Sequence, residues 1–269
     1  MTELVKDAAL DAATAAKVAG WSFVLATDLD GTFLGGTPSD RAQLYHWIGK
    51  QRDRIGLVFV TGRDPGFIEG LCTDTPVPWP DFVVGDVGTT IARMEPTGPG
   101  GKVTPIAAME AQIAALWGDA GATVRKRLDG HPGLTLQPTA FRHRVSYDYD
   151  PKTFDDRAKG IVEEMGHDWL ISADRYFDVL PKGVSKGPSL RRLIDYLGVR
   201  PNRVLAAGDT MNDYSMLVEG FPSVAVGGSE PALLAALPDH AAIVRPPGVG
   251  AGGIMDAVAH FALHHPTPR

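Results

Sequence analysis

Four short segments of the chain carry residues whose types and spacing could support phosphate chemistry. The first is Asp28-Leu29-Asp30-Gly31-Thr32, in which two carboxylates stand one residue apart and a glycine follows. Carboxylates this close repel each other unless a cation lies beside them. Mg²⁺ suits that position because it binds oxygen ligands and commonly bridges one or two carboxylates to a substrate phosphate. Taken alone, the segment could equally be an Asp-Gly turn.

Three later segments add groups that complement these carboxylates. Thr61 and Gly62 offer a hydroxyl and backbone N–H groups that could hold phosphate oxygens. Lys186 precedes a predicted helix and could neutralise charge in a transition state, although it could also be a solvated lysine. Asp209 and Asp213 supply two further carboxylates, the second of which could be an ordinary acid at a helix N-terminus. The four segments together, each at the end of a predicted element, predict one shared site.

Short apolar runs place most of these groups at the ends of strands. The runs cover residues 21–26, 55–60 and 203–207, and each leads directly into polar residues. Runs of this kind are typical of strands buried on both faces of a parallel sheet. Helical patterns between them, at about 40–52 and 189–197, predict an α/β fold. Ligands of such sheets bind beyond the carboxyl ends of the strands, where the polar residues lie.

The middle of the chain has a different pattern. A helix at 106–116 is followed by alternating strands, including a predicted hairpin at 169–172 and 176–180. This pattern predicts an α+β module inserted between the two halves of the α/β core. The predicted divisions are residues 1–90 for the first core part (with a helical extension at 1–20), 91–181 for the module and 182–269 for the second core part.

Composition excludes several classes of protein. The 269 residues carry a net charge of −6, which argues against a broad nucleic-acid surface. The single cysteine, Cys72, cannot form an intrachain disulfide or a cysteine-based zinc site, and this favours a reducing cytoplasm. The apolar runs are too short to cross a bilayer, and the first residues do not resemble a signal peptide. We expect a cytoplasmic monomer or weak dimer with no membrane or nucleic-acid partner.

As a set, the four segments resemble the four motifs of the haloacid dehalogenase (HAD) superfamily. The resemblance implies a Rossmann-like core with a mostly parallel sheet. It implies that Asp28 is a nucleophile that forms an aspartyl-phosphate, and that Asp30 protonates the leaving oxygen and later activates water. The phosphate-binding residues that it implies are Thr61, Gly62, Lys186 and Asn212.

The same resemblance implies Mg²⁺ as the cofactor. The implied ligands are the carboxylate of Asp28, the backbone carbonyl of Asp30 and the carboxylate of Asp209. Asp213 is implied either as a further ligand or as a residue that orients the metal's waters and Lys186.

The inserted module resembles a C2B-type cap, because it follows the second motif and precedes Lys186. Its strings are similar to those of sucrose-phosphate phosphatase and related sugar phosphatases, which implies a sugar or glycoside phosphate as the small-molecule substrate. The similar strings lie at residues 85–91, 144–147, 177–181 and 250–254. The chain departs from that pattern at Thr90, where an acid is expected, and at Arg144, where a lysine is expected.

Three residues are candidates for substrate specificity. Arg144 could pair with a sugar hydroxyl or a second anionic group, or could be an exposed strand cation. Asp86, between core and cap, could accept hydrogen bonds from sugar hydroxyls or serve only in a turn. Lys182 could face the cleft or water.

Three functions fit these residues. The first is hydrolysis of a sugar or glycoside phosphate. The second is phosphoryl transfer between two sugar hydroxyls, as in phosphomannomutase, which the chain resembles in fold and nucleophile motif. The third is a sugar-phosphate sensor without activity, although a sensor need not retain a nucleophile and an acid such as Asp28 and Asp30.

Overall fold

A computed structural model describes residues 10–97, 100–265 and 267–268. The first nine residues of the helical extension predicted at 1–20 lie outside these residues, and the described part forms a helix from Ala12 to Gly20. The strands are β1 (Phe23–Thr27), β2 (Ile55–Val60), β3 (Phe82–Gly85), β4 (Thr90–Thr97), β5 (Gly100–Pro105), β6 (Leu134–Leu136), β7 (Val145–Tyr149), β8 (His167–Ser172), β9 (Tyr176–Pro181), β10 (Val204–Gly208), β11 (Ser223–Ala225) and β12 (Ile243–Val244). The helices are α1 (Ala12–Gly20), α2 (Pro38–Lys50), α3 (Pro65–Asp74), α4 (Ala107–Trp117), α5 (Ala120–Arg127), α6 (Arg157–Glu164), α7 (Lys186–Leu197), α8 (Tyr214–Leu217), α9 (Pro231–Ala236) and α10 (Ala251–His260).

The larger sheet has the strand order β12-β11-β10-β1-β2-β3-β4-β5. Its strands from β12 to β3 are parallel, and β4 and β5 pair antiparallel at one edge. The α/β fold with a mostly parallel sheet is therefore confirmed. Because β10, β1 and β2 are parallel neighbours, the residues that follow them meet at one edge of the sheet.

Burial of both faces explains why the strands are continuous apolar runs. In β1, Phe23 and Leu25 pack into a cluster with residues of α2 and α10. Val24 and Ala26 point to the other face, where they pack into a cluster with residues of α7. A strand covered by helices on both sides has no position that favours a polar residue.

The smaller sheet has the order β6-β7-β9-β8 and is antiparallel throughout. The predicted hairpin corresponds to β8 and β9, which pair from His167 with Pro181 to Ser172 with Tyr176. Tyr147 and Phe177 are buried in a separate cluster between this sheet and helices α5 and α6. This sheet and its helices form the cap.

The larger sheet extends beyond the predicted core boundary at residue 90. Strand β4 pairs with β3, and β5 pairs with β4, so neither joins the cap strands. Met109 and Ile113 of α4 still pack against the core, whereas Trp117 at the end of the helix packs in the cap. The cap therefore begins within α4, later than predicted, because the alternating pattern of a strand does not reveal which sheet it joins.

Within the described residues, none of the helices has the length and apolar character needed to cross a membrane.

Candidate active site

Lys186 joins the two halves of the core at the carboxyl edge of the sheet. Its side chain has no solvent exposure, and its Nζ lies 2.7 Å from Asp28 Oδ1 and 2.6 Å from Asp213 Oδ1. Asn212 Oδ1 accepts a third hydrogen bond from the same ammonium group at 2.7 Å. Asp28 follows β1, and its N–H donates to the carbonyl of Ala207 in the neighbouring strand β10. Parallel pairing of β1 and β10 thus brings together residues that are distant in the chain.

Asp213 holds the loop after β10 as well as the lysine. Its Oδ2 accepts hydrogen bonds from the backbone N–H groups of Asp209 at 2.9 Å and Thr210 at 3.0 Å. The two oxygens of one carboxylate therefore fix both the loop and Lys186. This geometry supports the orienting role among the two that the resemblance implied for Asp213.

The turn after Asp28 is shaped to fit Asp209. Gly31 has a φ of +83°, a conformation that L side chains rarely adopt, and a Cβ there would lie 2.2 Å from Asp209 Oδ2. Thr32 Oγ1 donates to Asp209 Oδ1 at 2.5 Å. Sequence reasoning did not select Thr32 as a site residue, although it stands in the same motif. Gly31 and Thr32 together place the Asp209 carboxylate beside Asp28.

The carboxylates of this cluster carry more negative charge than the Lys186 ammonium balances. Burial raises the pKa of Asp28 well above its usual range, and the Asp213 and Asp209 carboxylates add to the rise while Lys186 opposes it. Burial also raises the pKa of Asp209 to about 7, with Asp213 contributing. For Lys186, burial acts to lower the pKa, but the adjacent carboxylates of Asp213 and Asp28 outweigh it and raise the pKa. One ammonium group therefore balances only part of the negative charge.

The donor set fits Mg²⁺. Asp28, Asp209 and Asp213 each have a carboxylate oxygen within 4.8 Å of the others. Such oxygens are the ligands that Mg²⁺ prefers, and a divalent cation would relieve the repulsion between these carboxylates. The side chain of Asp30 is not part of this group.

The carboxylate of Asp30 instead pairs with Arg63. Arg63 Nε and one terminal nitrogen donate to the two Asp30 oxygens at 2.9 and 3.1 Å. Both side chains are about half exposed, and the guanidinium lies 4.5 Å from the ring centroid of Phe67. Sequence reasoning missed Arg63 as a functional residue, although it directly follows Thr61 and Gly62. The pair leaves the carboxyl of Asp30 at the open side of the site.

The Thr61–Arg63 loop is held by its three consecutive carbonyl groups. The carbonyl of Thr61 accepts from the N–H of Val87 at 3.1 Å, and that of Arg63 accepts from the N–H of Asp86 at 3.0 Å. Between them, the carbonyl of Gly62 accepts from a terminal nitrogen of Arg144 at 3.0 Å. Two of these donors come from the turn after β3, and the third comes from the cap.

The structure places the three specificity candidates in different settings. Arg144 is buried, which excludes an exposed strand cation; it donates to Asp178 Oδ1 at 2.9 Å, and its guanidinium lies 3.6 Å from the centroid of the Phe141 ring. Asp86 is buried and has a positive φ of 52°.

Lys182 is mostly exposed and pairs with Asp168 at 2.6 Å. It lines a cleft of about 390 Å³ between the cap hairpin and the loop that carries Asn212. Lys182 therefore faces a cleft while remaining in contact with water.

The sequence as a whole was compared with known families. A profile of the family described as Sucrose-6F-phosphate phosphohydrolase matches residues 21–262. The chain belongs to this family. Its similarity to sucrose-phosphate phosphatase and other sugar phosphatases of the HAD superfamily is thereby confirmed.

Individual relatives have different lengths and names. The chain is 42% identical to Glucosylglycerol-phosphate synthase from Pseudomonas anguilliseptica over 89% of this chain and 31% of that protein. It is 26% identical to Mannosylfructose-phosphate phosphatase from Agrobacterium fabrum over 90% of this chain and 97% of that protein. It is 30% identical to Sucrose-phosphatase 2 from Nicotiana tabacum over 91% of this chain and 61% of that protein. The chain thus spans less than two thirds of the first and third of these relatives.

Solved structures show the same fold. The sucrose-phosphatase from Synechocystis sp. PCC6803, solved in complex with sucrose and phosphate, superposes with a TM-score of 0.80 at 23% identity, covering 90% of this chain and 98% of that one. A haloacid dehalogenase-like hydrolase protein from Bacillus subtilis gives a TM-score of 0.65 at 16% identity, covering 91% and 93%. The HAD fold is therefore confirmed.

Proposed function

We propose that this protein is a Mg²⁺-dependent phosphohydrolase that cleaves the phosphate monoester of a glycoside through an aspartyl-phosphate on Asp28. The observation that carries the proposal is the buried Asp28 carboxylate, held 2.7 Å from the ammonium of Lys186 and close to Asp209 and Asp213. A nucleophilic carboxylate needs a dry, positively charged setting in which an incoming phosphate is stabilised rather than repelled. Membership of a phosphatase family supports this reading.

Asp28, the backbone carbonyl of Asp30, and Asp209 would hold the cation. When bound, Mg²⁺ supplies charge neutralisation to the phosphate oxygens and to the clustered carboxylates. Asp213 binds Lys186 with one carboxylate oxygen and the loop after β10 with the other. It therefore fixes the position of the lysine relative to that loop.

The chain's own residues then carry two displacement steps. In the first, a carboxylate oxygen of Asp28 forms a bond to phosphorus, the ester P–O bond breaks, and the leaving glycoside oxygen takes a proton from Asp30. In the second, water attacks phosphorus, its proton passes to Asp30, and the bond between Asp28 and phosphorus breaks to give inorganic phosphate. Asp30 performs both transfers after its carboxyl leaves Arg63, because the guanidinium occupies both of its oxygens. Thr61, Gly62, Lys186 and Asn212 hold the phosphoryl group.

The alcohol part of the substrate is a glycoside. The family description and two relatives name phosphorylated disaccharides, and the 42% identical relative is named for synthesis of a glucosylglycerol phosphate. In the simplest reaction sequence, the synthase makes a phosphorylated glycoside and a phosphatase then removes its phosphate. We therefore propose glucosylglycerol phosphate as the first candidate and sucrose 6-phosphate as the second. The single cysteine, Cys72, is consistent with work in a reducing cytoplasm.

A phosphate-release screen tests the proposal. The substrates are glucosylglycerol phosphate, sucrose 6-phosphate, mannosylfructose phosphate and hexose 6-phosphates, each with Mg²⁺ and with EDTA. We expect release from a glycoside phosphate, loss of activity in EDTA and recovery on adding excess Mg²⁺. A positional isomer without free phosphate would establish a mutase, and binding without turnover would establish a sensor. Full activity in EDTA would contradict the metal requirement.

A further inference from the structure

A buried arginine of the cap reaches the phosphate-binding loop of the core. Arg144, just before β7, is 5% exposed and donates to the carbonyl of Gly62 at 3.0 Å. Its other terminal nitrogen donates to Asp178 in the adjacent strand β9. Asp178 also accepts from Ser146 in a short hydrogen bond at 2.5 Å. Contacts within the cap therefore hold the guanidinium in the position from which it reaches the core.

The contact with Gly62 determines the direction of a backbone N–H group. In a trans peptide, the carbonyl of Gly62 and the N–H of Arg63 share one plane and point in opposite directions. Holding that carbonyl outward directs the N–H of Arg63 toward Thr61, whose Oγ1 accepts it at 3.2 Å. The neighbouring peptide is set in the same way, because Val87 holds the carbonyl of Thr61 and so directs the N–H of Gly62.

The remaining contacts of Arg144 are with Phe141 and Asp86. The Phe141 ring lies 3.6 Å from the guanidinium carbon, and Asp86 Oδ1 lies 3.6 Å from the nitrogen that binds Gly62. Burial raises the pKa of Asp86, and Thr90 Oγ1 donates to its other oxygen at 2.6 Å. The Phe141 ring therefore covers one face of the guanidinium, and Asp86 and Asp178 lie along its edge.

We propose that Arg144 is a positioning residue that connects the cap to phosphate binding by holding the peptide between Gly62 and Arg63. When the cap is seated, the N–H of Arg63 stays bonded to Thr61 Oγ1, which fixes the hydroxyl of Thr61 where it can hold a phosphoryl oxygen. When the cap moves away, the middle carbonyl of the Thr61–Arg63 loop loses its donor. Phosphate binding is strongest with the cap seated, even though Arg144 does not touch the phosphate.

This inference rests on the proposed function, and the test separates the two. The variants are Arg144→Lys, which keeps the charge but loses the planar fork, and Phe141→Leu, which loosens the guanidinium without leaving a buried charge unpaired. The matched control is Arg157→Lys, an exposed cap arginine paired with Asp155. The substrates are the preferred glycoside phosphate and 4-nitrophenyl phosphate, which has no sugar, and inorganic phosphate serves as the competitive inhibitor.

We expect Arg144→Lys to lower kcat/KM roughly 10- to 100-fold for both substrates, and to raise the inhibition constant of inorganic phosphate by a similar factor. Phe141→Leu should change the same quantities in the same direction by a smaller factor, and Arg157→Lys should change none of them. Losses confined to the glycoside, with 4-nitrophenyl phosphate and phosphate inhibition unchanged, would make Arg144 a sugar contact and overturn the proposal.

Amide hydrogen exchange gives a readout that does not depend on activity. In Arg144→Lys, the peptide covering residues 58–66 should exchange faster than in the wild type, whereas peptides of β10 should not change. Unchanged exchange in folded Arg144→Lys or Phe141→Leu would overturn the proposal. A wild type that releases no phosphate from any ester would instead contradict the proposed function, and the exchange comparison would still decide whether Arg144 holds the loop.

Discussion

The residue that organises this site is a lysine with no solvent exposure. Removing an ammonium group from water is unfavourable, and the three acceptors around Lys186 compensate for that loss. The same contacts direct its charge toward Asp28, the proposed nucleophile. A surface lysine could not supply charge in this way, because water would screen it.

Replacing Asp28 by asparagine should abolish turnover while preserving the fold. Asparagine is nearly the same size, and Lys186 keeps its contact with Asp213. An amide does not form an acyl phosphate, so we expect at least a roughly 1000-fold loss of kcat for phosphate release. The measurement is steady-state phosphate release beside a thermal unfolding curve. An unchanged turnover number in the folded variant would contradict the mechanism.

Lys186→Met should destabilise the protein strongly. The change leaves the buried carboxylates of Asp28 and Asp213 without their cation, and losing one partner of a buried pair costs about 3–5 kcal/mol of unfolding free energy. Mg²⁺ should restore part of this loss by binding the same carboxylates. Urea denaturation with Mg²⁺ and with EDTA measures both effects.

Lys182→Met is the matched control for that measurement. Lys182 lies four residues earlier and pairs with Asp168 in an exposed ion pair. Its replacement should leave the unfolding free energy nearly unchanged, with no dependence on Mg²⁺. Equal effects of the two substitutions would show that burial of Lys186 has no special energetic role.

At the scale of elements, the site depends on tight turns that follow strands. The turn after β1 needs the positive φ of Gly31, and the turn after β3 places two non-glycine residues, Asp86 and Val87, at positive φ. Non-glycine residues in this region are strained by about 1–3 kcal/mol and persist only where their surroundings hold them. The hydrogen bonds from Asp86 and Val87 to the Thr61–Arg63 loop are such contacts.

Gly31→Ala should reduce both stability and activity. A methyl group would lie 2.2 Å from Asp209 Oδ2, in a backbone conformation that alanine disfavours. We expect the free energy of unfolding to fall by more than about 1 kcal/mol and the apparent affinity for Mg²⁺ to weaken. The control is Gly49→Ala in helix α2, where no atom lies within 4 Å of the added methyl and stability should rise by about 0.5 kcal/mol. Similar effects at both positions would contradict the argument.

Sequence reasoning identified the strands of the core, but not all of the neighbouring strands with which they pair. The runs that became β1, β2 and β10 were recognisable because strands buried on both faces contain few polar residues. The pairing of β4 with β3 was not recognisable, because strand partners are set by long-range packing.

The candidate site shows the same limit. The motifs gave Asp28, Lys186 and Asp209, but the side-chain direction of Arg63 toward Asp30 cannot be obtained from residue order. Burial of Arg144 was likewise hidden, since alternation along a strand does not distinguish an exposed face from one pressed against another domain.

At the scale of the whole molecule, the buried thiol of Cys72 makes the free energy of unfolding depend on pH at alkaline values. Burial raises the pKa of its thiol to about 12, whereas in an unfolded chain it is about 8.5. The raised pKa favours the folded state fully below about pH 8.5, and this stabilisation is lost as the pH rises toward 12. The free energy of unfolding of the wild type should therefore fall with pH more steeply than that of Cys72→Ala, by up to about 1.4 kcal/mol per pH unit.

Urea unfolding of the two proteins between pH 8 and pH 10.5 measures this difference. A thiol reagent should label Cys72 only after unfolding, because the folded side chain is buried. Parallel pH profiles, or rapid labelling of the folded protein, would contradict the expected environment of this residue.

The pairing of β1 with β10 also has a consequence for how the molecule acquires activity during synthesis. Residues 24–27 pair with residues 204–207, which are synthesised much later. The centre of the sheet therefore forms only after these later residues have left the ribosome. The cap cluster spans a continuous stretch between Trp117 and Val179, and we expect it to collapse earlier because its contacts are more local. An incomplete chain would then hold a formed cap and an exposed Asp28 without Lys186 or Asp209. We therefore expect the proposed activity to begin only when folding of the core is complete.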